Sequence, residues 1–213
     1  MGLYVSLRVK ALIFDIDGTL ADTMPAHFQS WQEAAQTFGF EYPLELFYKN
    51  AGMSTLAIVK TLNDQHGYRL DPAEVADAKN KAYLKNIRQI KPIEPVVEIV
   101  RKFHGKLPMG LGTGEIRSIA EQNIHTIGLA KYFSAMVTCE DVRNPKPDPE
   151  TFLRCADLLD VANEYCQVFE DGELGLEAAR RALMVATDVR PFIKAAETEA
   201  ETSTGIEFKR KIS

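Results

Sequence analysis

The stretch that most constrains this chain is Leu12-Ile13-Phe14-Asp15-Ile16-Asp17-Gly18-Thr19, an apolar run that stops at two carboxylates one residue apart, followed by a glycine and a hydroxyl. A short apolar run closed by a turn signal reads as a buried strand whose end opens into a site. Alternate side chains of a strand share a face, so Asp15 and Asp17 line one side, and Gly18 permits the sharp turn that exposes them. Two close carboxylates repel each other and call for a cation. A hard dication such as Mg2+ accepts carboxylate and carbonyl oxygens together, and it draws an anionic substrate to an otherwise anionic spot. The plainer alternative is an Asp-Gly turn in which Asp17 bonds only its own backbone.

The rest of the chain decides between them. Residues 1–8 form a frayed lead-in without chemistry. Pro25 opens a helix in which Phe28, Trp31, Ala34, Ala35 and Phe38 recur at helical spacing until Gly39 ends it. Two further helical patterns follow, one around Leu56, Ile58, Val59 and Leu62, the other from Asp71-Pro72 through Val75, Ala82, Tyr83 and Ile87. The pair Pro92 and Pro95 breaks this block, so residues 24–91 read as a helical insertion after the first strand. Behind it strands near residues 108–112, 135–138, 166–169 and 184–187 alternate with helices near 96–103, 116–127, 149–159 and 174–182. That rhythm predicts an α/β fold, a doubly wound parallel sheet built from residues 9–23 and 92–192. Residues 193–213, rich in Glu, Ala and Thr, predict a tail helix or disorder.

At 213 residues the chain has room for a substantial core. Its net charge of -5 lies along the chain without a basic stripe, which argues against a nucleic-acid partner; a phosphorylated substrate must be attracted locally. Cys139, Cys155 and Cys166 are odd in number, lack metal-ligand spacing and have no histidine grouped with them, so they read as reduced, packed thiols. No leader pattern and no apolar stretch of spanning length is present, and a cytoplasmic monomer without a membrane partner is expected.

In a doubly wound sheet, ligands bind beyond the carboxyl ends of the strands. Asp15 and Asp17 follow strand one, Thr113 strand two, Lys146 strand three, and Glu170 and Asp171 strand four, so all belong to that edge. Singly each has a bland reading: Lys146 as a loop lysine between Pro145 and Pro147, Glu170-Asp171 as an acidic helix start. Together they resemble the haloacid dehalogenase-like hydrolases, whose four motifs read here as D-I-D-G-T, L-G-T-G, N-P-K-P-D-P and F-E-D-G-E-L-G. The resemblance covers residues 9–192 and implies a Rossmann-like core, a nucleophile at Asp15 that becomes an aspartyl phosphate, and a general acid and base at Asp17. It implies Thr113 and Lys146 on the phosphoryl oxygens, and Mg2+ held by Asp15, Glu170, Asp171 and the backbone carbonyl of Asp17. Members that dehalogenate or pump ions usually lack the second carboxylate, so Asp17 points to phosphate chemistry.

The helical insertion resembles the cap of the β-phosphoglucomutase-like branch, a lid that excludes water and reads the leaving group. The resemblance implies that Thr23, His27, Trp31, Gly52, Ser54 and Lys79 face the cleft, with Gly114 and Arg117 contributing from the core. By residue type alone His27 is an exposed helix residue and Trp31 part of a core stripe. The mutase grips its substrate's distal phosphate with an arginine where this chain has Thr55, which cannot clamp a phosphate bidentately. The run from Phe103 to Met109 instead resembles the fructose-1-phosphate or 6-phosphogluconate phosphatase-like members. The expectation is a Mg2+-dependent sugar-phosphate phosphatase, with β-phosphoglucomutase as the alternative, in which Lys49, Lys79 or Arg117 replaces the arginine. A phosphoaccepting signalling module also groups acids, Thr and Lys around Mg2+. It places the acceptor after its third strand and has no cap, so the motif order here counts against it.

Overall fold

The computed structural model describes residues 3–50 and 53–196. Five strands, β1 (Ala11–Phe14), β2 (Met109–Gly112), β3 (Ala135–Val137), β4 (Cys166–Glu170) and β5 (Val185–Asp188), form one sheet in the order β3-β2-β1-β4-β5. Every neighbouring pair is parallel. The period-two alternation of β1 sorts its side chains between two cores. Leu12 and Phe14 pack with residues of α5 (Glu94–Phe103) and α6 (Arg117–Thr126), whereas Ala11 and Ile13 pack with α7 (Glu150–Leu158) and α8 (Glu173–Arg181). Helices on both faces explain why β1 is apolar throughout and why β1 and β4 are wholly buried, Gln167 and Glu170 included. The chain steps outward from β1 to β2 to β3, then returns to β4 on the other side of β1, so the order reverses between β1 and β4. A crevice at such a reversal is where this architecture binds ligands.

Between β1 and α5 lie α1 (Met24–Phe38), α2 (Leu44–Lys49), α3 (Thr55–His66) and α4 (Pro72–Asn86), which share an apolar cluster including Trp31, Phe47, Val59, Leu62 and Val75. Their ends follow local chemistry. Ser54 caps α3 by accepting from the amide of Ala57 at 3.3 Å, and Asp71 caps α4 by accepting from Ala73 and Glu74 at 2.8 and 3.1 Å. The block leaves and re-enters the sheet layer through two paired segments. Asp22 N donates to Lys91 O at 2.8 Å and Ile93 N to Leu20 O at 2.9 Å.

Four local expectations change. Helix α2 lacks a sequence signature because its six residues are too few to show a period. Ile87 lies in a 3-10 turn over Ile87–Gln89 rather than in α4. The lead-in is not frayed over its described residues: Gln167 Nε2 donates to Tyr4 O and Ser6 N donates to Gln167 Oε1, both at 2.9 Å. Residues 190–196 are helical, so the helix starts before the expected tail, and residues 197–213 of that tail lie outside the described residues. No helix among the described residues is long and apolar enough to cross a membrane.

Candidate active site

Asp15 extends β1 past its last strand residue, its amide donating to Phe169 O of β4 at 3.0 Å. Its carboxylate therefore stands next to the end of β4. Lys146, from the loop after β3, reaches both ends: Nζ lies 2.8 Å from Asp15 Oδ1 and 2.7 Å from Glu170 Oε2, with all three side chains buried. Burial alone would lower an ammonium, but the charges of Asp15 and Glu170 outweigh it and hold Lys146 above its ordinary value. Glu170 also accepts from the amides of Asp171 and Gly172 at 3.1 and 2.9 Å, and Thr19 Oγ1 donates to Asp171 Oδ1 at 2.8 Å.

Asp15, Glu170 and Asp171 each offer an oxygen, and these lie within 4.8 Å of one another. Burial, then the charge of Glu170, raises the Asp15 carboxyl well above its ordinary value despite Lys146. The same two causes raise Asp171 to about 7. Three carboxylates against one ammonium leave excess negative charge in a buried place, which suits a hard divalent cation with oxygen ligands. The backbone is shaped around these acids. Gly18 has φ +84°, and a Cβ there would strike the Asp171 carboxylate; a Cβ at Gly175 would strike that of Glu170.

Asp17 meets the helical block. Its Oδ1 lies 3.1 Å from His27 Nε2 of α1 and accepts from Asn123 Nδ2 of α6 at 3.0 Å, while Thr113 Oγ1 is 3.5 Å from Oδ2. Burial pushes the Asp17 carboxyl up, but the hydrogen bond and charge of His27 pull it below its ordinary value. The ring of His27 stacks on Tyr83 of α4 at 4.2 Å, and Tyr83 OH donates to Asn123 Oδ1 at 2.8 Å. One turn earlier on α4, Lys79 Nζ sits 3.1 Å from Glu115 Oε2 in the loop after β2. A cleft opens between the two layers, bordered from the sheet layer by Asp15, Asp17, Glu170 and Asp171 and from the helical block by Trp31, Phe47, Asn50, Met53 and Thr55.

A family model described as haloacid dehalogenase-like hydrolase matches residues 12–189. The chain belongs to the haloacid dehalogenase-like hydrolases. Fructose-1-phosphate phosphatase YqaB of Escherichia coli strain K12 is 38% identical over 184 residues, 86% of this chain and 97% of the relative. A phosphorylated carbohydrates phosphatase of Thermotoga maritima is 28% identical, with 82% of each chain covered. In fold, a β-phosphoglucomutase of Clostridium difficile superposes with a TM-score of 0.76 at 21% identity, covering 87% of this chain and 88% of the other.

Against this hydrolase family's pattern, the residues read from sequence divide clearly. Asp15, Asp17, Thr113, Gly114, Glu170 and Asp171 border the cleft together with His27, Trp31 and Lys79, and Lys146 bonds to the acids behind it. Three do not border it. Arg117 turns away because its guanidinium bonds Asp141 at 2.7 Å and Met136 O at 3.3 Å. Ser54 spends its hydroxyl as the cap of α3, and Thr23 is wholly buried at the start of α1. Gly52 lies outside the described residues. The sequence assigns no site role to Asn123, Tyr83 or Asn50: Tyr83 follows a core period, and neither amide sits in a motif. Burial pushes all three thiols up, Cys166 to about 11 and Cys139 to about 12, which disfavours the reactive thiolate.

Proposed function

We propose that the chain is a Mg2+-dependent phosphatase of small sugar phosphates that works through an aspartyl phosphate on Asp15, with residues 24–91 serving as a cap over a core of residues 9–23 and 92–192. The observation that carries this reading is the pair of carboxylates with different partners: Asp15 beside Lys146 and two further acids, Asp17 beside His27 and Asn123. A divalent ion held by Asp15, Glu170 and Asp171 would neutralise phosphoryl oxygens and let an anionic nucleophile approach.

An oxygen of Asp15 attacks phosphorus as the ester P–O bond breaks, and the leaving alkoxide takes a proton from Asp17. Asp17 then removes a proton from water, the water oxygen attacks phosphorus, and the Asp15–phosphorus bond breaks to release inorganic phosphate. Donors from His27 and Asn123 hold Asp17 ionised, ready for the water step. Protonating it for the first step costs those bonds. Lys146 orients Asp15, and Thr113 stands beside Asp17 to donate to a phosphoryl oxygen.

Hydrolysis is favoured over mutase chemistry by the far end of the cleft. Thr55 borders it where the mutase has its arginine; of the three possible replacements Lys49 is exposed and outside the cleft, Arg117 is tied to Asp141, and Lys79, which does border it, is paired with Glu115. The reading is tested by following phosphate release from a panel of sugar phosphates with Mg2+ or a chelator. Release that requires Mg2+ and vanishes in Asp15→Asn is expected. Fast conversion of β-glucose 1-phosphate to glucose 6-phosphate, dependent on glucose 1,6-bisphosphate and with little phosphate released, would reverse it in favour of the mutase.

A further inference from the structure

We infer that Glu115 is a specificity-determining residue: through its ion pair with Lys79 it selects monophosphates with an uncharged polyol leaving group and excludes those bearing a second phosphate or a carboxylate, which sets this chain apart from the 6-phosphogluconate phosphatase-like members that its sequence resembles. This rests on the phosphatase reading and names its substrate class. Lys79 and Glu115 both border the cleft, yet they are only 2% and 9% exposed, and Nζ lies 3.1 Å from Oε2. Neither group is loose. Glu115 Oε1 accepts from the amide of Ile116 at 2.9 Å, and its own amide donates to Thr113 Oγ1 at 3.1 Å, so the carboxylate is anchored to the loop carrying Thr113. The Lys79 ammonium is flanked by the Tyr83 ring, 5.5 Å from its centroid.

The charge inventory of the cleft gives this pair its consequence. Among the described residues bordering it, Lys79 is the one permanent cation, and His27 faces Asp17. Lys146, behind the acids, is shared by Asp15 and Glu170. The remaining wall away from the acids is neutral, offering apolar faces from Trp31 and Phe47 and hydrogen-bonding groups from Asn50 and Thr55. A second anion on the leaving group finds no cation free. It must either take Lys79 from Glu115, leaving a buried carboxylate unpaired, or lie beside that carboxylate. A sugar hydroxyl meets neither cost, because it can donate to a spare lone pair of Glu115 while the pair stays closed.

The experiment measures kcat/KM on two matched pairs, fructose 1-phosphate against fructose 1,6-bisphosphate and glucose 6-phosphate against 6-phosphogluconate, with p-nitrophenyl phosphate as a generic ester. The wild-type protein is expected to prefer the first member of each pair by about 100-fold, the scale of an uncompensated like-charge contact. Glu115→Gln frees Lys79 for the second anion and is expected to shrink the preference at least about tenfold, mainly through KM. Lys79→Met leaves Glu115 uncompensated and is expected to widen it. Opposite shifts from the two partners of one ion pair are what a purely structural bridge does not produce. A wild-type preference near one, shifts of the same sign, or a preference unchanged within twofold in a folded variant overturns the inference. Should Glu115→Gln fail to fold, the wild-type preference and Lys79→Met decide. A wild-type protein that hydrolyses none of the esters, p-nitrophenyl phosphate included, sinks the phosphatase reading itself.

Discussion

Asp15 and Asp17 are separated by a single residue, yet their surroundings push them in opposite directions. Burial and Glu170 raise Asp15; at Asp17 burial is outweighed by His27. The two carboxyls are thus separated in the metal-free site, and a divalent ion on Asp15 would lower it again, as the proposed attack on phosphorus requires. Asn123, from α6, contributes to that separation by donating to Asp17 at 3.0 Å. In Asn123→Ala the Asp17 carboxyl loses a donor to its charged form, so its pKa rises and the acid limb of the kcat pH profile, set by the water step in which Asp17 is the base, moves to higher pH. An unmoved limb would show that Asn123 serves only to pack α6. Gly18 is a second single-residue constraint, at φ +84° against Asp171. Gly18→Ala is expected to cost about 1 to 2 kcal/mol from the left-handed backbone alone. Displacement of Asp171 adds weaker Mg2+ binding, measured by calorimetric titration; unaltered affinity would mean that Asp171 does not hold the ion.

At the scale of elements, α1 and α4 each bring residues one turn apart to the seam with the sheet layer: His27 and Trp31 from α1, Lys79 and Tyr83 from α4. Tyr83 ties α4 to α1 by its ring on His27 and to the sheet layer by its hydroxyl on Asn123. Tyr83→Phe keeps the stack and leaves the buried Asn123 oxygen unpaired, at an expected cost of about 1 to 3 kcal/mol in urea unfolding. Tyr83→Ala also opens a cavity and is expected to cost about 3 to 5 kcal/mol. Equal losses in the two variants would mean that the hydroxyl alone holds the seam.

For the whole molecule, the acid cluster links stability to pH and, under the proposed function, to a divalent ion. Asp171 is raised from its ordinary 3.8 to about 7 in the folded state, so the metal-free fold binds this proton more tightly than the unfolded chain does. The stability that proton confers is complete below the unfolded value and is lost as pH rises through the folded one. Without metal the melting temperature should therefore fall between about pH 5.5 and about pH 8, and Mg2+, which competes with the proton, should raise it more at the higher pH. Equal Mg2+ shifts at both pH values would argue against binding at these carboxylates.

How much of this the chain declares in advance depends on distance along it. Apolar runs ending in polar residues, as at Phe14-Asp15 and Phe169-Glu170, marked the buried strands and the edge where their acids gather, because a strand and the residue after it are local facts. What only the tertiary structure decided is which distant polar groups pair. Lys79 and Glu115 are 36 residues apart, and Asn123 and Asp17 are 106 apart. Helical spacing marks Tyr83 as core and says nothing of where its hydroxyl points. Arg117 misled for the opposite reason: it follows Thr113 closely in sequence, but the helix that begins there carries its guanidinium to Asp141. Periodicity determines which side of an element is buried, whereas the partner of a buried charge is set by how the elements are docked.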